Sequence, residues 1–257
     1  MVKVEAIFSD YDGTLSPLEI RREEAFISPR LRRLLTKASK HIRIGIVSTK
    51  DLSFIKERVP FAHGIAATCG LEMQVGDRII LDERIQETSK KVERVYREVL
   101  PRILQMPDNI SVERKETENG DLIAFCIDWR LAHDWPEAQR KTTPILASCK
   151  EQGLYVVESS ISPFANIFPM KVSKGDAFAK LRKEMKVPGP VIYLGDSEAD
   201  NPAFQLADIS IGIKHRRTVP ELLCKYVLEF FELDSFLSKL IDAGFDFRDG
   251  MIDRDTR

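Results

Sequence analysis

The chain has 257 residues, 43% of them hydrophobic and 31% charged, with a formal net charge of -1. That length allows one large domain or a core with a second, smaller unit, and the composition suits a soluble chain with a sizeable apolar core. Lys and Arg are dispersed along the chain, so no overall field draws nucleic acid or anionic lipid, and no stretch approaches the ~18 uninterrupted apolar residues of a membrane helix. Cys69, Cys126, Cys149 and Cys224 form no CxxC pair, which reads as reduced thiols in a cytosolic protein and leaves no zinc site.

In chain order, MVKVEAIF opens as a strand without the longer apolar core of a signal peptide, which adds to the expectation of a cytoplasmic protein. The apolar run over residues 4–9 predicts a buried strand that ends at the acidic turn Asp10-Tyr11-Asp12-Gly13. A helix follows over SPRLRRLLTKASK, with Ser28 as N-cap and Pro29 in its first turn. Residues 42–48 predict a second buried strand and DLSFIKERV a second helix; such βαβα alternation implies a parallel, doubly wound sheet.

Between about residues 82 and 170 the pattern changes. Residues 83–105 predict a long amphipathic helix with Ile85, Val92, Val95, Val99 and Ile103 on one face. ISVERKET and DLIAFCIDWR flank Asn119-Gly120, a strong hairpin signal, and a second helix covers residues 135–152. LYVVESS and NIFPMKV predict two further strands, making an α-β-β-α-β-β insertion with an antiparallel sheet and its helices on one face. From Lys174 the alternation resumes: a helix, the strand VIYLGD, a short helix at PAFQLA, the strands ISIGI and KYVLEFF, a last helix at LDSFLSKLIDAG, and a tail expected to fray. The expected division is a core of residues 1–81 and 171–257 around an inserted unit of residues 82–170.

In an open α/β sheet the ligand crevice lies at the carboxyl ends of the strands. Asp10 and Asp12, Ser48 and Thr49, Asp196 with Asp200, and Lys174 all map to that edge. Phosphoryl transfer needs such a set. A phosphate monoester repels an attacking carboxylate unless a cation bridges them, and Mg²⁺ needs only one or two carboxylates from the protein. Asp10 and Asp196 can supply these, with the Asp12 carbonyl as a third oxygen. Asp12 can protonate a leaving alcohol and then activate water, while Ser48 and Lys174 meet the phosphoryl oxygens.

DYDGTL, IVST, SKGDAFAKL and YLGDSEADNPAF resemble, in order and spacing, the four motifs of the haloacid dehalogenase superfamily of phosphohydrolases. The insertion resembles the C2-type cap of its sugar phosphatases. The resemblance implies Asp10 as nucleophile, Asp12 as general acid and base, Ser48 (or its neighbour Thr49) and Lys174 as phosphate ligands, and Asp10, Asp12, Asp196 and Asp200 around Mg²⁺. DYDGTLSP, CGLEM and ERK with IDWR look most like trehalose-6-phosphate phosphatases, which usually have SGR where this chain has Ser48-Thr49-Lys50 and a cap glutamate where it has Asn166. The implied partner is a small phosphorylated sugar, with Arg130, Glu158 and Asn166 as cap contacts, and neither nucleic acid nor membrane is expected. A monomer or small homo-oligomer fits these expectations. A sugar phosphomutase and a non-catalytic phosphosugar-binding regulator are the rival readings. Phe164, Phe168, Trp129 and Trp135 suit packing at least as well as ligand contact, and His41, His63, His133 and His215 share no spacing.

Overall fold

The computed structural model describes residues 1–18, 20–106, 109–158, 163–215 and 221–252. The two-residue strand β1 (Val2–Lys3) precedes β2 (Ala6–Ser9), whose four residues are all buried, as a strand covered on both faces requires. Helix α1 (Pro29–Ala38) starts where Ser28 Oγ accepts the Leu31 N–H at 3.1 Å. Strand β3 (Arg43–Val47) leads to α2 (Leu52–Arg58), capped by Asp51. Strands β4 (Gly64–Ala67), β5 (Glu72–Val75) and β6 (Arg78–Leu81) follow. Sequence pattern does not resolve these three, because four residues carry too little alternation to separate strand from loop.

Next come α3 (Ile85–Leu104), β7 (Ser111–Glu116), β8 (Leu122–Asp128), α4 (Trp135–Glu151), β9 (Tyr155–Glu158) and β10 (Phe164–Phe168). Their strands make an antiparallel sheet of order β7-β8-β10-β9. Gly120 turns the predicted hairpin at φ +86°, donating its N–H to the Thr117 carbonyl. Helices α3 and α4 cover one face, where Val92, Val95 and Leu146 meet Phe125, Ile127 and Ile167. Alternate strand residues, Glu113, Lys115, Cys126 and Asn166, face the other way. The strand expected over residues 166–172 lies instead at Phe164–Phe168, because Pro169 has no N–H to continue the ladder. The strand expected to reach Ser160 is described to Glu158, and residues 159–162 lie outside the described residues.

The chain returns through α5 (Lys174–Glu184), β11 (Val191–Gly195), α6 (Asn201–Phe204), β12 (Ile209–Lys214), β13 (Tyr226–Glu229), α7 (Leu233–Asp242) and β14 (Asp246–Phe247). The large sheet has the order β13-β12-β11-β2-β3-β4-β5-β6, parallel from β13 to β4 and antiparallel at β5 and β6. Ile7 packs toward α1, α2 and α7, whereas Phe8 packs toward Phe178 of α5 on the opposite face. The strand expected to reach Phe231 stops at Glu229, where Phe230–Glu232 form a 3-10 turn and the Glu232 carboxylate accepts the Glu229 N–H. Part of the tail expected to fray is ordered: Phe247 pairs with Val2 and Ile252 is buried, while residues 253–257 lie outside the described residues. The architecture is an α/β, doubly wound, Rossmann-like core with an α+β cap inserted between β6 and α5. Strand β2 sits between β3 and β11, where the order of connections reverses, so a crevice opens at the carboxyl ends of these three strands. Among the described residues, no helix is long and apolar enough to cross a membrane.

Candidate active site

Asp10 leaves the end of β2 with its N–H bonded to the Leu194 carbonyl at 2.9 Å. Tyr11 turns into the core, its hydroxyl donating to the Ala25 carbonyl at 2.6 Å and its ring set edge-on to Phe54. That alternation leaves Asp10 and Asp12 facing the crevice. Gly13 then takes φ +77°, and a Cβ there would stand 2.0 Å from Asp196 Oδ2. Only glycine lets the turn pass so close to that carboxylate. His215, stacked on Phe230, bonds the Gly13 carbonyl through Nε2.

Lys174, the first residue of α5, is the cation of the crevice floor. Its Nζ lies 2.7 Å from Asp10 Oδ2 and 2.9 Å from Asp200 Oδ1. Ser173 caps the helix by accepting the Asp176 N–H. Asp200 is fully buried and accepts from Lys174, Tyr193 OH, the N–H groups of Asp196 and Ser197, and Ser197 Oγ. Five donors fill the lone pairs of one carboxylate. Asp196, at the end of β11, accepts from the Thr14 hydroxyl at 3.5 Å and lies against Asp10.

Carboxylate oxygens of Asp10, Asp196 and Asp200 lie within 4.8 Å of one another, all buried. Burial pushes Asp10 up to about 7 in spite of Lys174, and burial together with Asp10 and Asp200 raises Asp196 well above the carboxylate range. Burial opposes the Lys174 charge, but Asp10, Asp200 and Asp196 outweigh it and hold the ammonium protonated. One ammonium does not balance three buried carboxylates. The donor set therefore fits a hard divalent cation such as Mg²⁺, which Asp10 and Asp196, whose oxygens are the less engaged, would hold.

The Asp12 carboxylate stands apart from this group, 3.9 Å from Lys50 Nζ. Lys50 is buried and pairs at 3.0 Å with Glu113 of β7, and Glu113 also bonds Arg22, which in turn bonds Asp51. Burial opposes the Lys50 charge while Asp12 and Glu113 raise its pKa; burial likewise opposes the Glu113 charge while Lys50, Lys115 and Arg22 lower its pKa. The hydroxyl of Ser48 is buried and accepts the Lys50 N–H at 3.1 Å, whereas Thr49 lines the cavity. Sequence reading gives no site role to Arg22, Lys50, Glu113 or Lys115, although Lys50 falls in Ser48-Thr49-Lys50 and Glu113 and Lys115 in the ERK stretch of the resemblance. The period-2 spacing of Glu113 and Lys115 on β7 was the available signal, since it puts both on one face.

A cavity of about 310 Å³ lies between the crevice and the open face of the cap sheet. That volume is at the small end for ligand sites. Arg130, Glu158 and Asn166, the cap residues expected from sequence, all line it. Arg130 is ion-paired with Asp128 at 2.7 Å and donates from a terminal nitrogen to the Ile20 carbonyl of the core. Glu158 lies at the rim, ion-paired with Lys150, and Asn166 is buried and accepts from Lys115. Phe164 also lines the cavity, while Phe168 and Trp129 are buried in packing and Trp135 is exposed with its indole N–H on the Arg130 carbonyl.

No family model matches the chain. It is similar to "Probable trehalose-phosphate phosphatase 3" of Oryza sativa subsp. japonica, 24% identical over 96% of this chain and 72% of the rice protein. It is also similar to "Phosphoglycolate phosphatase 2" of Saccharolobus solfataricus, 24% identical over 84% of this chain and 81% of that protein. Among solved structures, a trehalose-6-phosphate phosphatase related protein superposes with a TM-score of 0.73 at 20% identity, covering 93% of this chain and 98% of the other. A haloacid dehalogenase-like hydrolase from Bacteroides thetaiotaomicron superposes with a TM-score of 0.62 at 14% identity, covering 93% and 100%.

Proposed function

We propose that this haloacid dehalogenase superfamily phosphatase, most like the trehalose-6-phosphate phosphatases, hydrolyses a small sugar phosphate through an aspartyl-phosphate on Asp10. Trehalose 6-phosphate or another glycoside phosphate is the substrate type. The observation that carries the reading is the contact of Asp10 with Lys174 at 2.7 Å beside Asp196, on the floor of the cavity under the inserted sheet. Mg²⁺ bound at Asp10 and Asp196 supplies positive charge that lets a carboxylate and a phosphate dianion approach each other.

Asp10 attacks phosphorus and forms an acyl-phosphate bond as the ester bond to the sugar oxygen breaks. Asp12 gives its proton to that oxygen, then takes one from the water that hydrolyses the acyl phosphate, so Asp10 and Asp12 both return to their starting state. Lys174 and the Ser48–Thr49 hydroxyls meet the phosphoryl oxygens. Asp200, saturated by its five donors, orients Lys174 in place of binding the metal. Residues 82–170 act as the cap over a core of residues 1–81 and 171–257; Arg130, Glu158 and Asn166 hold the sugar and close the site to bulk water.

Phosphate release from a panel of sugar phosphates, with Mg²⁺ and with chelator, tests the reading. Turnover with metal and its loss on chelation are expected. Absence of release from every phosphomonoester, an activated aryl phosphate included, would overturn it.

A further inference from the structure

Among the described residues, each other cation that lines the cavity, and Arg22 beside it, has a carboxylate partner. Lys174 has Asp10 and Asp200, Lys50 has Glu113, Arg22 has Asp51 and Glu113, and Arg130 has Asp128. Lys115 differs. It is 1% exposed on β7, its ammonium donates to the neutral Asn166 Oδ1, and it lies 5.6 Å from the centre of the Phe168 ring. Among the described residues no carboxylate is in ion-pair contact with it; Glu113, two residues away on the same face, attracts it from a distance but is itself held by Lys50 and Arg22.

A buried ammonium is stable only when charge or several strong acceptors replace its water. One amide oxygen replaces one hydrogen bond and no charge. Burial accordingly lowers the Lys115 pKa, where the paired Lys50 and Lys174 have theirs raised. Lys115, Asn166, Lys50 and Asp10 line one cavity, so a cation with no carboxylate in contact stands at its cap end and the reacting carboxylate at its floor.

We propose that the substrate carries a carboxylate as well as its phosphoryl group, and that Lys115 receives this carboxylate at the cap end of the cavity. The substrate class is a phosphorylated hydroxy acid, a sugar acid phosphate, or a glycoside of either. A sugar hydroxyl at the same place would give Lys115 a second neutral acceptor and leave its charge unbalanced, whereas a carboxylate forms the stronger charge-assisted bond. The inference rests on the phosphatase reading for its chemistry; it narrows the substrate type to phosphate esters that bear a carboxylate and so sets trehalose 6-phosphate itself aside.

The test uses pairs of ligands in which a carboxylate replaces a hydroxymethyl group: 3-phosphoglycerate with glycerol 3-phosphate, and 6-phosphogluconate with glucitol 6-phosphate. Binding is read by calorimetry in the Asp10→Asn protein with Mg²⁺, so the result stands whether or not the chain turns phosphate esters over. Phosphate release by the unmodified protein tests that other reading separately. The acid of at least one pair is expected to bind on the order of tenfold to a hundredfold tighter than its neutral partner, the worth of one charge-assisted bond. Lys115→Met, which keeps the volume and removes the charge, is expected to bring the ratio near one. Asn166→Glu, which hands Lys115 a carboxylate of its own, is expected to do the same, and it guards against a Lys115 variant that fails to fold. Equal or tighter binding of the neutral partners in both pairs overturns the proposal. So does a preference for the acids that survives both substitutions.

Discussion

Glu113 on the cap sheet lies 3.0 Å from Lys50 of the core and also bonds Arg22, so one cap carboxylate ties down two core cations. Lys50 in turn stands 3.9 Å from Asp12. Cap position and the charge around Asp12 are therefore parts of one ion-pair chain. Glu113→Gln keeps the shape, removes the charge and leaves Lys50 buried without its nearest anion. A loss of about 1–3 kcal/mol of stability is expected, the lower part of the range for broken buried pairs because Arg22 is partly solvated. At ~2–4 °C per kcal/mol for a chain of this size, thermal melts resolve the change. KM for any good phosphate ester is expected to rise more than kcat falls, because the cap closes less often over the substrate.

The buried acids set the response to pH and metal. Asp10 titrates at about 7 and Asp196 is raised well above its usual value, so folding at neutral pH must either bind protons or bear repulsion. For a carboxylate whose folded pKa is raised, the native state holds more protons than the unfolded one, and stability falls as pH rises from the unfolded pKa near 3.8 through the folded value. The metal-free protein is expected to lose Tm from about pH 4 through about pH 7, the span between the two Asp10 values. Mg²⁺ competes with those protons, so the Tm gained on adding it should be small at pH 5 and grow toward pH 8. A metal effect that is flat across this range would contradict the assignment of Asp10 and Asp196. Asp10→Asn should shrink the metal effect and lower turnover by on the order of 10³-fold or more while the protein remains folded.

The sequence alone marks much of the candidate site. Asp10, Asp12, Lys174 and Asp196 each follow a strand or open a helix, and an apolar strand beside a polar turn is a strong local signal. The cap's order was also readable, because Asn119-Gly120 marks the hairpin and the first long helix carries clear periodicity. Other features were hidden for physical reasons. β4 to β6 are each four residues long, and their pairing with β3 and with one another is decided by neighbours distant in sequence. The choice between Ser48 and Thr49 depends on which way one residue points at a strand end, where the alternation breaks. Arg22, Lys50 and Glu113 are ordinary charged residues in the sequence, and only the meeting of cap and core turns them into a buried chain. The tail looked free because it is polar, yet Phe247 and Ile252 anchor it.

Gly13 is the most exacting position of the first turn. Alanine there must take φ +77° and place a methyl 2.0 Å from Asp196 Oδ2, inside any allowed contact. Backbone strain costs on the order of 1 kcal/mol, and the clash forces either the turn or Asp196 to move. Gly13→Ala is expected to lose activity by at least tenfold, with a weaker Mg²⁺ dependence of Tm, because the displaced carboxylate is a proposed metal ligand. Gly120→Ala, also at positive φ but with open space around the added methyl, should lose stability alone and leave turnover intact.

Asp200 offers the sharpest separation of charge from shape. All five of its partners are donors: Lys174, the Tyr193 hydroxyl, the N–H groups of Asp196 and Ser197, and the Ser197 hydroxyl. Gly195 makes room for it, since a Cβ there would lie 2.4 Å from Asp200 Cγ. Asp200→Asn has nearly the same volume but turns one acceptor oxygen into an NH₂ group, so whichever way the amide flips, donors face donors. The loss should be on the order of 3 kcal/mol, the cost of unpaired buried polar groups beside a buried ammonium. Either way Lys174 keeps Asp10 as its one carboxylate partner in contact, and kcat should fall with the lost charge. Tyr193→Phe removes one donor of five and leaves the other four in place, so it should cost only about 1 kcal/mol and a few-fold in kcat. Thermal melts with parallel phosphate-release assays on the two variants give the comparison. If Asp200→Asn proved as mild as Tyr193→Phe, Asp200 would not be the group that orients Lys174.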